Sequence, residues 1–442
     1  MSVPSSTVAL PLAGCRVLEI STAWAGPMLG RILADFGADV VKVETLDAID
    51  NWRGAVKGDD TARYPDRTPG ARPYNRSAWF NTQNLGKRSL GLDLKAAQAR
   101  PALEALVAGV DIVVSNFAAG ALARLQLDYE RLRLLRPDVI LVEMVVTGEG
   151  GPLADTRGVG PTMEALAGMT TLTGYGDGVP QRTGPAYVDP IGALNGAMAT
   201  LLAVHHRLRT GEGQRIELAQ RESLMHWYGE RLLLRAADGL EPLPQGNALG
   251  GAAPHGAYRC KGQDQWVAIA VLDDAQWPAL CRAIGRGDLA ADARHADAAG
   301  RAAAASALRA ALEAYTLQHD KHELAAHLQR HGVCAAPVCA GNDLHADPQL
   351  AATGFLFEVD HPEAGRHRYH GLPFRFADAP ASRPSAAPLL GQHTDALLRE
   401  WAHLSDAEIA ALHAGGVALQ SESPATAEAM RHHSDIATID RP

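Results

Sequence analysis

Two spacings of apolar residues alternate along the first half of the chain. Arg16–Ile20 (RVLEI) and Val40–Glu44 (VVKVE) are short, dense apolar runs that predict buried strands. Between them, Leu29, Ile32, Leu33 and Phe36 recur at helical spacing over Pro27–Phe36, and Gly37 ends the run. Strand, helix and strand in this order form a βαβ unit, which implies parallel strands. The alternation continues with a strand near Ser89–Leu94, a helix near Ala96–Ala108, a strand at Asp111–Val114 and a helix near Ala121–Leu135. Val139–Val146 is apolar almost throughout, as in a parallel sheet covered on both faces. Residues 1–205 thus predict the N-terminal part of a doubly wound α/β domain.

The texture changes further on. Residues 206–256 predict a linker helix followed by a Gly/Pro-rich loop, EPLPQGNALGGAAPHG. Residues 257–345 predict a smaller α+β domain, with a strand pair and Ala-rich amphipathic helices around Arg301–His331. Residues 346–420 are Pro-rich and extended before a helix near Thr394–His403, and are expected to return to the large domain. Residues 421–442 are polar and are expected to be disordered. No internal repeat is visible.

Composition narrows the function classes. The 442 residues are 47% hydrophobic and 21% charged, with a net charge of −9. That balance argues against nucleic-acid binding, and no basic run with interleaved aromatics is present. The five cysteines form no CxxC pair, so neither a disulfide framework nor a metal site is expected. No basic-then-apolar leader precedes the first strand, and no apolar run reaches the ~18 residues of a membrane span, which points to a cytoplasmic protein with no membrane partner. A nicotinamide enzyme is also disfavoured. The turn after the first strand, Ser21–Pro27, carries one glycine where a dinucleotide fingerprint needs three.

One carboxylate stands out. Asp189 directly precedes Pro190 and a long apolar-periodic segment with Ile191, Leu194, Met198, Leu201 and Leu202. Asp before Pro is a favoured helix start, so Asp189 reads first as an N-cap. A carboxylate at the positive end of a helix also has the makings of a nucleophile.

The order of several short segments weighs between these readings. AGP (25–27), LADFGADVVKVE (33–44), NLGKRSLGLDLK (84–95), DIVVSNFAAGALARL (111–125), RPDVILVEM (136–144), GPAYVDPIGALNG (184–196), RTGEGQRIELAQ (209–220) and LGQHTDALL (390–398) follow one another. Together they resemble the family III CoA-transferases, from Gly14 to about Val417. The resemblance implies an enzyme that moves CoA from an acyl-CoA to a free carboxylic acid through an aspartyl anhydride and an aspartyl–CoA thioester. It implies Asp189 as the nucleophile, CoA thioester as substrate rather than tightly bound cofactor, and an interlocked homodimer.

The resemblance also implies CoA contacts at Trp24, Ala25, Leu92, Lys95, Asn116, Phe117 and Arg124. Arg157 stands where relatives carry a Lys, and Gly250–Gly251 stand in a glycine-rich lid, where Leu249 and Ala252 replace two glycines. Arg53, Trp24, Met163 and Glu164 are candidates for lining the acyl site. Gly158–Val159–Gly160 replaces a G-Y-D run, and Glu164 replaces a Gln, so oxalate is not to be assumed as substrate. Two alternatives stand beside this reading. One is a 2-methylacyl-CoA racemase-like epimerase, for which the expected His position is Val159. The other is a non-catalytic CoA-binding subunit.

Overall fold

A computed structural model describes residues 9–45, 49–53, 61–175, 178–239, 244–377 and 379–421. The expected disordered tail lies outside the described residues from 422 onward. The described residues divide into two compact units, those that fall within 1–168, 183–232 and 354–442 and those that fall within 169–182 and 233–353.

The first unit is built on a seven-stranded sheet. Its strands are β1 (Arg16–Ile20), β2 (Asp39–Glu44), β3 (Arg88–Leu92), β4 (Ile112–Ser115), β5 (Ile140–Val145), β6 (Arg215–Ala219) and a short edge strand, Ala418–Leu419. The order is edge strand–β3–β2–β1–β4–β5–β6, parallel except at the edge strand. Val17 faces Val40 on one side and Ile112 on the other. The chain therefore winds outward from β1 in one direction, returns, and winds outward from β4 in the other. The two directions part between β1 and β4, where doubly wound folds open a crevice at the strands' carboxyl ends.

Successive residues of each strand enter two different cores, as strands covered on both faces require. Leu18, Val41, Leu90 and Val113 pack with Leu103, Leu106 and Trp401. Val17, Val40, Ile112 and Val142 pack with Leu29, Leu33, Ala193 and Ala197. A hairpin, β7 (Leu356–His361) with β8 (Gly365–His370), completes this unit. The second unit has a three-stranded antiparallel sheet of His255–Arg259, Trp266–Ala270 and Cys334–Pro337. Its own core includes Val267, Trp277, Leu280, Leu312 and Leu328.

Three local expectations change. The Ala121–Leu135 helix is two helices, Ala121–Arg124 and Tyr129–Leu135, because Gln126 turns left-handed at φ +55° and Asp128 caps the second. The helix expected to start at Pro190 runs Val188–Thr210 with Tyr187 at its N-cap position, so Asp189 lies inside the first turn and is not the cap. Its buried face also differs from the expected one. Ile191, Gly192, Ala193, Gly196, Ala197, Thr200 and Ala203 are buried, while Leu194, Met198 and Leu202 are 50%, 59% and 62% exposed. The cause is close approach. A Cβ on Gly196 would stand 3.2 Å from Leu29 on the Ala25–Asp35 helix, so small residues must face that neighbour.

Candidate active site

The crevice between β1 and β4 is shaped by a turn held at nearly every residue. Asn116, just past β4, accepts from the Thr22 N–H at 2.9 Å and donates to the Thr22 carbonyl at 2.8 Å. Ala23 turns left-handed at φ +62°, and its N–H donates to Asp50 at 2.9 Å. Lys42 donates to the Ser21 carbonyl at 2.7 Å. Gly26 permits the tight return into the Ala25–Asp35 helix, because a Cβ there would stand 2.5 Å from Ser21 and 2.9 Å from Asn116.

A buried charge cluster anchors this turn from below. Glu19 pairs with Lys87 at 2.7 Å and with Lys42 at 3.3 Å, and Lys42 pairs with Asp50 at 3.1 Å. Lys87 also donates to the carbonyl of Pro27, in the first turn of the helix, at 2.7 Å. Sequence reasoning missed this cluster. Its signal was a charge in the middle of each apolar strand, Glu19 in RVLEI and Lys42 in VVKVE.

At the start of the helix that leaves this turn, the backbone of Ala25 acts on the carboxylate of Asp189 and favours its ionised form. Asp189 is partly exposed, so solvent and small molecules reach it. Burial is the largest influence on its carboxyl, the Ala25 backbone opposes it, and the charge of Glu164 adds to it; the result is pushed up to about 6. Asp189 is thus mostly ionised at neutral pH yet more basic than an ordinary aspartate. No histidine acts on Asp189 among the described residues.

The other sequence-predicted residues fall into separate places. Lys95 and Phe117 line one cavity at the carboxyl end of β1, together with Thr22, Asp93, Leu94 and Leu125. Leu92 is fully buried in the sheet core, and Arg124 and Arg157 are exposed. Trp24 begins a row of rings, with Trp52 5.3 Å away and Trp79 5.5 Å beyond that. Met163 and Glu164 are buried. Gly250 and Gly251 form the tip of a turn closed from the Ala252 N–H to the Leu249 carbonyl at 3.1 Å, within the second unit.

Arg53 requires a correction, because it does not line an acyl site. Its guanidinium is fully buried. Its five N–H groups go to Glu44 twice, Tyr74, Asn75 and Pro388, which leaves no donor for a substrate.

Fold and site together define a doubly wound α/β enzyme whose Asp189 carboxylate, opening a long helix, is pushed up to about 6. The chain matches CoA-transferase family III over residues 12–394 and belongs to that family. It is 36% identical over 394 residues to the succinyl-CoA:mesaconate CoA-transferase of Haloarcula marismortui, covering 87% of this chain and 95% of that protein. It is 31% identical over 392 residues to the succinate–glutarate CoA-transferase of Agrobacterium fabrum, covering 88% and 95%. A CaiB/BaiF family protein from Brucella suis superposes with a TM-score of 0.80 at 33% identity, over 89% of this chain and 100% of that one. The protein is accordingly a CoA-transferase that uses CoA thioester substrates. No helix of the described residues is long and apolar enough to cross a membrane.

Proposed function

We propose that Asp189 carries the CoA between two carboxylic acids as a covalent intermediate. The Asp189 carboxylate attacks the thioester carbonyl of an acyl-CoA and expels CoA thiolate, forming a mixed anhydride. The thiolate attacks the aspartyl carbonyl of that anhydride, forms an aspartyl–CoA thioester and releases the first acid as its carboxylate. The second carboxylate attacks the thioester, and the returning thiolate takes the new acyl group and frees Asp189. Every nucleophile in this sequence is an anion, so no general base is required.

The observation that carries this reading is the placement of Asp189 in the first turn of the Val188–Thr210 helix, against a gap at Gly160 that no side chain could share, with the Ala25 backbone favouring its anion. A helix N-terminus beside the reacting carboxyl orients it. It then remains to receive the charge that develops on its oxygen during each attack. The CoA is assigned to the cavity lined by Lys95 and Phe117, where an ammonium suits a phosphate and a ring suits the base. Trp24, Leu92, Asn116, Arg124 and Arg157 are carried as further CoA contacts on the family resemblance. Gly250–Gly251 are carried as the lid that keeps water from the anhydride. The exposed stripe of Leu194, Met198 and Leu202 fits the pairing of two copies into a homodimer.

The test is chemical trapping. The protein is incubated with succinyl-, glutaryl-, formyl-, oxalyl- and aryl-acyl-CoAs, quenched with hydroxylamine, digested and mapped by mass spectrometry. A hydroxamate at Asp189 with any donor supports the reading and names the donor class. Absence of any adduct, with α-proton exchange into an acyl-CoA in deuterated water, overturns it in favour of an epimerase.

A further inference from the structure

The helix Gly160–Ala167 contributes one charged side chain, Glu164, and one absent side chain, at Gly160, and both bear on Asp189. Glu164 is 1% exposed. Its Oε1 accepts from the backbone N–H of Tyr187 at 2.7 Å and from the hydroxyl of Thr183 at 2.9 Å. Tyr187 is the residue at the N-cap position of the Val188–Thr210 helix, two positions before Asp189. The helix therefore receives its N-terminal ligand from Glu164 and not from its own aspartate, which leaves the Asp189 carboxylate unspent.

Gly160 lies one turn earlier on the same helix. A Cβ there would collide with Ala186 and with Oδ2 of Asp189. The missing side chain is thus the space into which the Asp189 carboxylate folds. The charge of Glu164, on the same helix, acts to raise the Asp189 carboxyl.

Other charged groups on the neighbouring elements are accounted for. The Val188–Thr210 helix packs on the Ala25–Asp35, Gly160–Ala167 and Gln220–Met225 helices and on β5 and β6. Arg31 and Asp35 pair with each other at 2.9 Å, and Glu143 is held by Arg215 at 2.8 Å. Arg221 and Glu222 lie on the Gln220–Met225 helix and Glu217 on β6, and among the described residues the charge that acts to raise the Asp189 carboxyl is that of Glu164.

We infer that Glu164 is a positioning residue for the transferase reaction, holding the start of the Asp189 helix by its hydrogen bonds and setting a second negative charge near the nucleophile. This rests on Asp189 being the nucleophile. The two roles separate cleanly. A glutamine keeps the acceptor oxygen and removes the charge; an aspartate keeps the charge on an arm one carbon shorter.

The experiment first maps the hydroxylamine adduct on wild-type protein, which tests Asp189 alone. The pH dependence of kcat/KM is then measured from pH 4.5 to 8 for wild type, Glu164→Gln and Glu164→Asp, with the fold of each checked by circular dichroism. Glu164→Gln is expected to move the acid limb down by roughly half a pH unit or more, because a like charge no longer opposes ionisation of Asp189. Glu164→Asp is expected to leave that limb in place and lower kcat by about tenfold or more, because Tyr187 loses its acceptor and the carboxylate shifts. A wild-type adduct at Asp189 with an unmoved limb in folded Glu164→Gln overturns the inference while leaving the nucleophile assignment intact. Should Glu164→Gln not fold, Glu164→Asp supplies the second reading: its kcat is expected to fall while the CoA KM stays within about twofold, since the Tyr187 and Thr183 bonds are disturbed and the CoA cavity is not. An unchanged kcat there counts equally against the inference.

Discussion

A Cβ on Gly160 would collide with Oδ2 of Asp189, so the carboxylate in the first turn of one helix fills the space that a side chain would take on another. Two opposed effects meet on that carboxylate. A helix N-terminus favours the anion by a few tenths to about 1 kcal/mol, whereas burial disfavours it. Burial wins, and the group settles near 6. The result suits a nucleophile that is ionised at neutral pH yet desolvated enough to attack.

Asp189→Asn is expected to abolish transfer and to stabilise the protein at pH 8. A carboxyl raised from 3.8 to about 6 by folding favours the folded state below the unfolded value, and that advantage is lost as pH rises through about 6. Above pH 7 the ionised group costs up to about 3 kcal/mol, which the neutral amide avoids. Thermal unfolding at pH 8 is expected to show a higher Tm for the variant, with the gap closing towards pH 4. Equal Tm gaps at both pH values would contradict the assignment of a desolvated carboxylate.

Asn116→Ala removes both partners of the Thr22 backbone. Two hydrogen bonds at about 1 kcal/mol each are lost, and the turn that delivers Ala25 loosens. A rise in the KM for acyl-CoA together with a fall in kcat of roughly tenfold is expected, because small misplacement of a donor near the reacting carbon is costly. Steady-state kinetics on a folded variant check this.

Lys87→Met leaves Glu19 buried with one cation in place of two and releases the Pro27 carbonyl. Breaking a buried pair in this way costs about 3–5 kcal/mol. Urea denaturation is expected to show a lower midpoint with an unchanged slope. A shift under about 1 kcal/mol would mean that the cluster relaxes around the loss.

Lys95→Ala is expected to raise the KM for acyl-CoA severalfold at low salt, with the difference from wild type narrowing as ionic strength rises. Lys95 lines the cavity but is exposed, so screening reaches it. Its kcat is expected to stay near wild type. A KM that is unaffected at every salt concentration removes Lys95 from the CoA site.

The sequence alone determined the elements whose causes are local. The apolar runs at Arg16–Ile20 and Val40–Glu44, the helical spacing between them and the stop at Gly37 set β1, β2 and their crossover within a residue or two. Asp189 was visible as a carboxylate opening a long helix because its Pro190 and the periodicity after it are neighbours in the chain. Tertiary structure decided the rest. The Val188–Thr210 helix buries glycines and alanines and exposes Leu194, Met198 and Leu202, an inversion that follows from how closely Leu29 approaches. The same long-range packing gave the N-terminus of that helix to Glu164 and saturated Arg53 with five hydrogen bonds. It also set the Asp189 carboxylate against the gap at Gly160. These contacts join segments far apart in sequence, and no local pattern of apolar and polar positions encodes which of them meet.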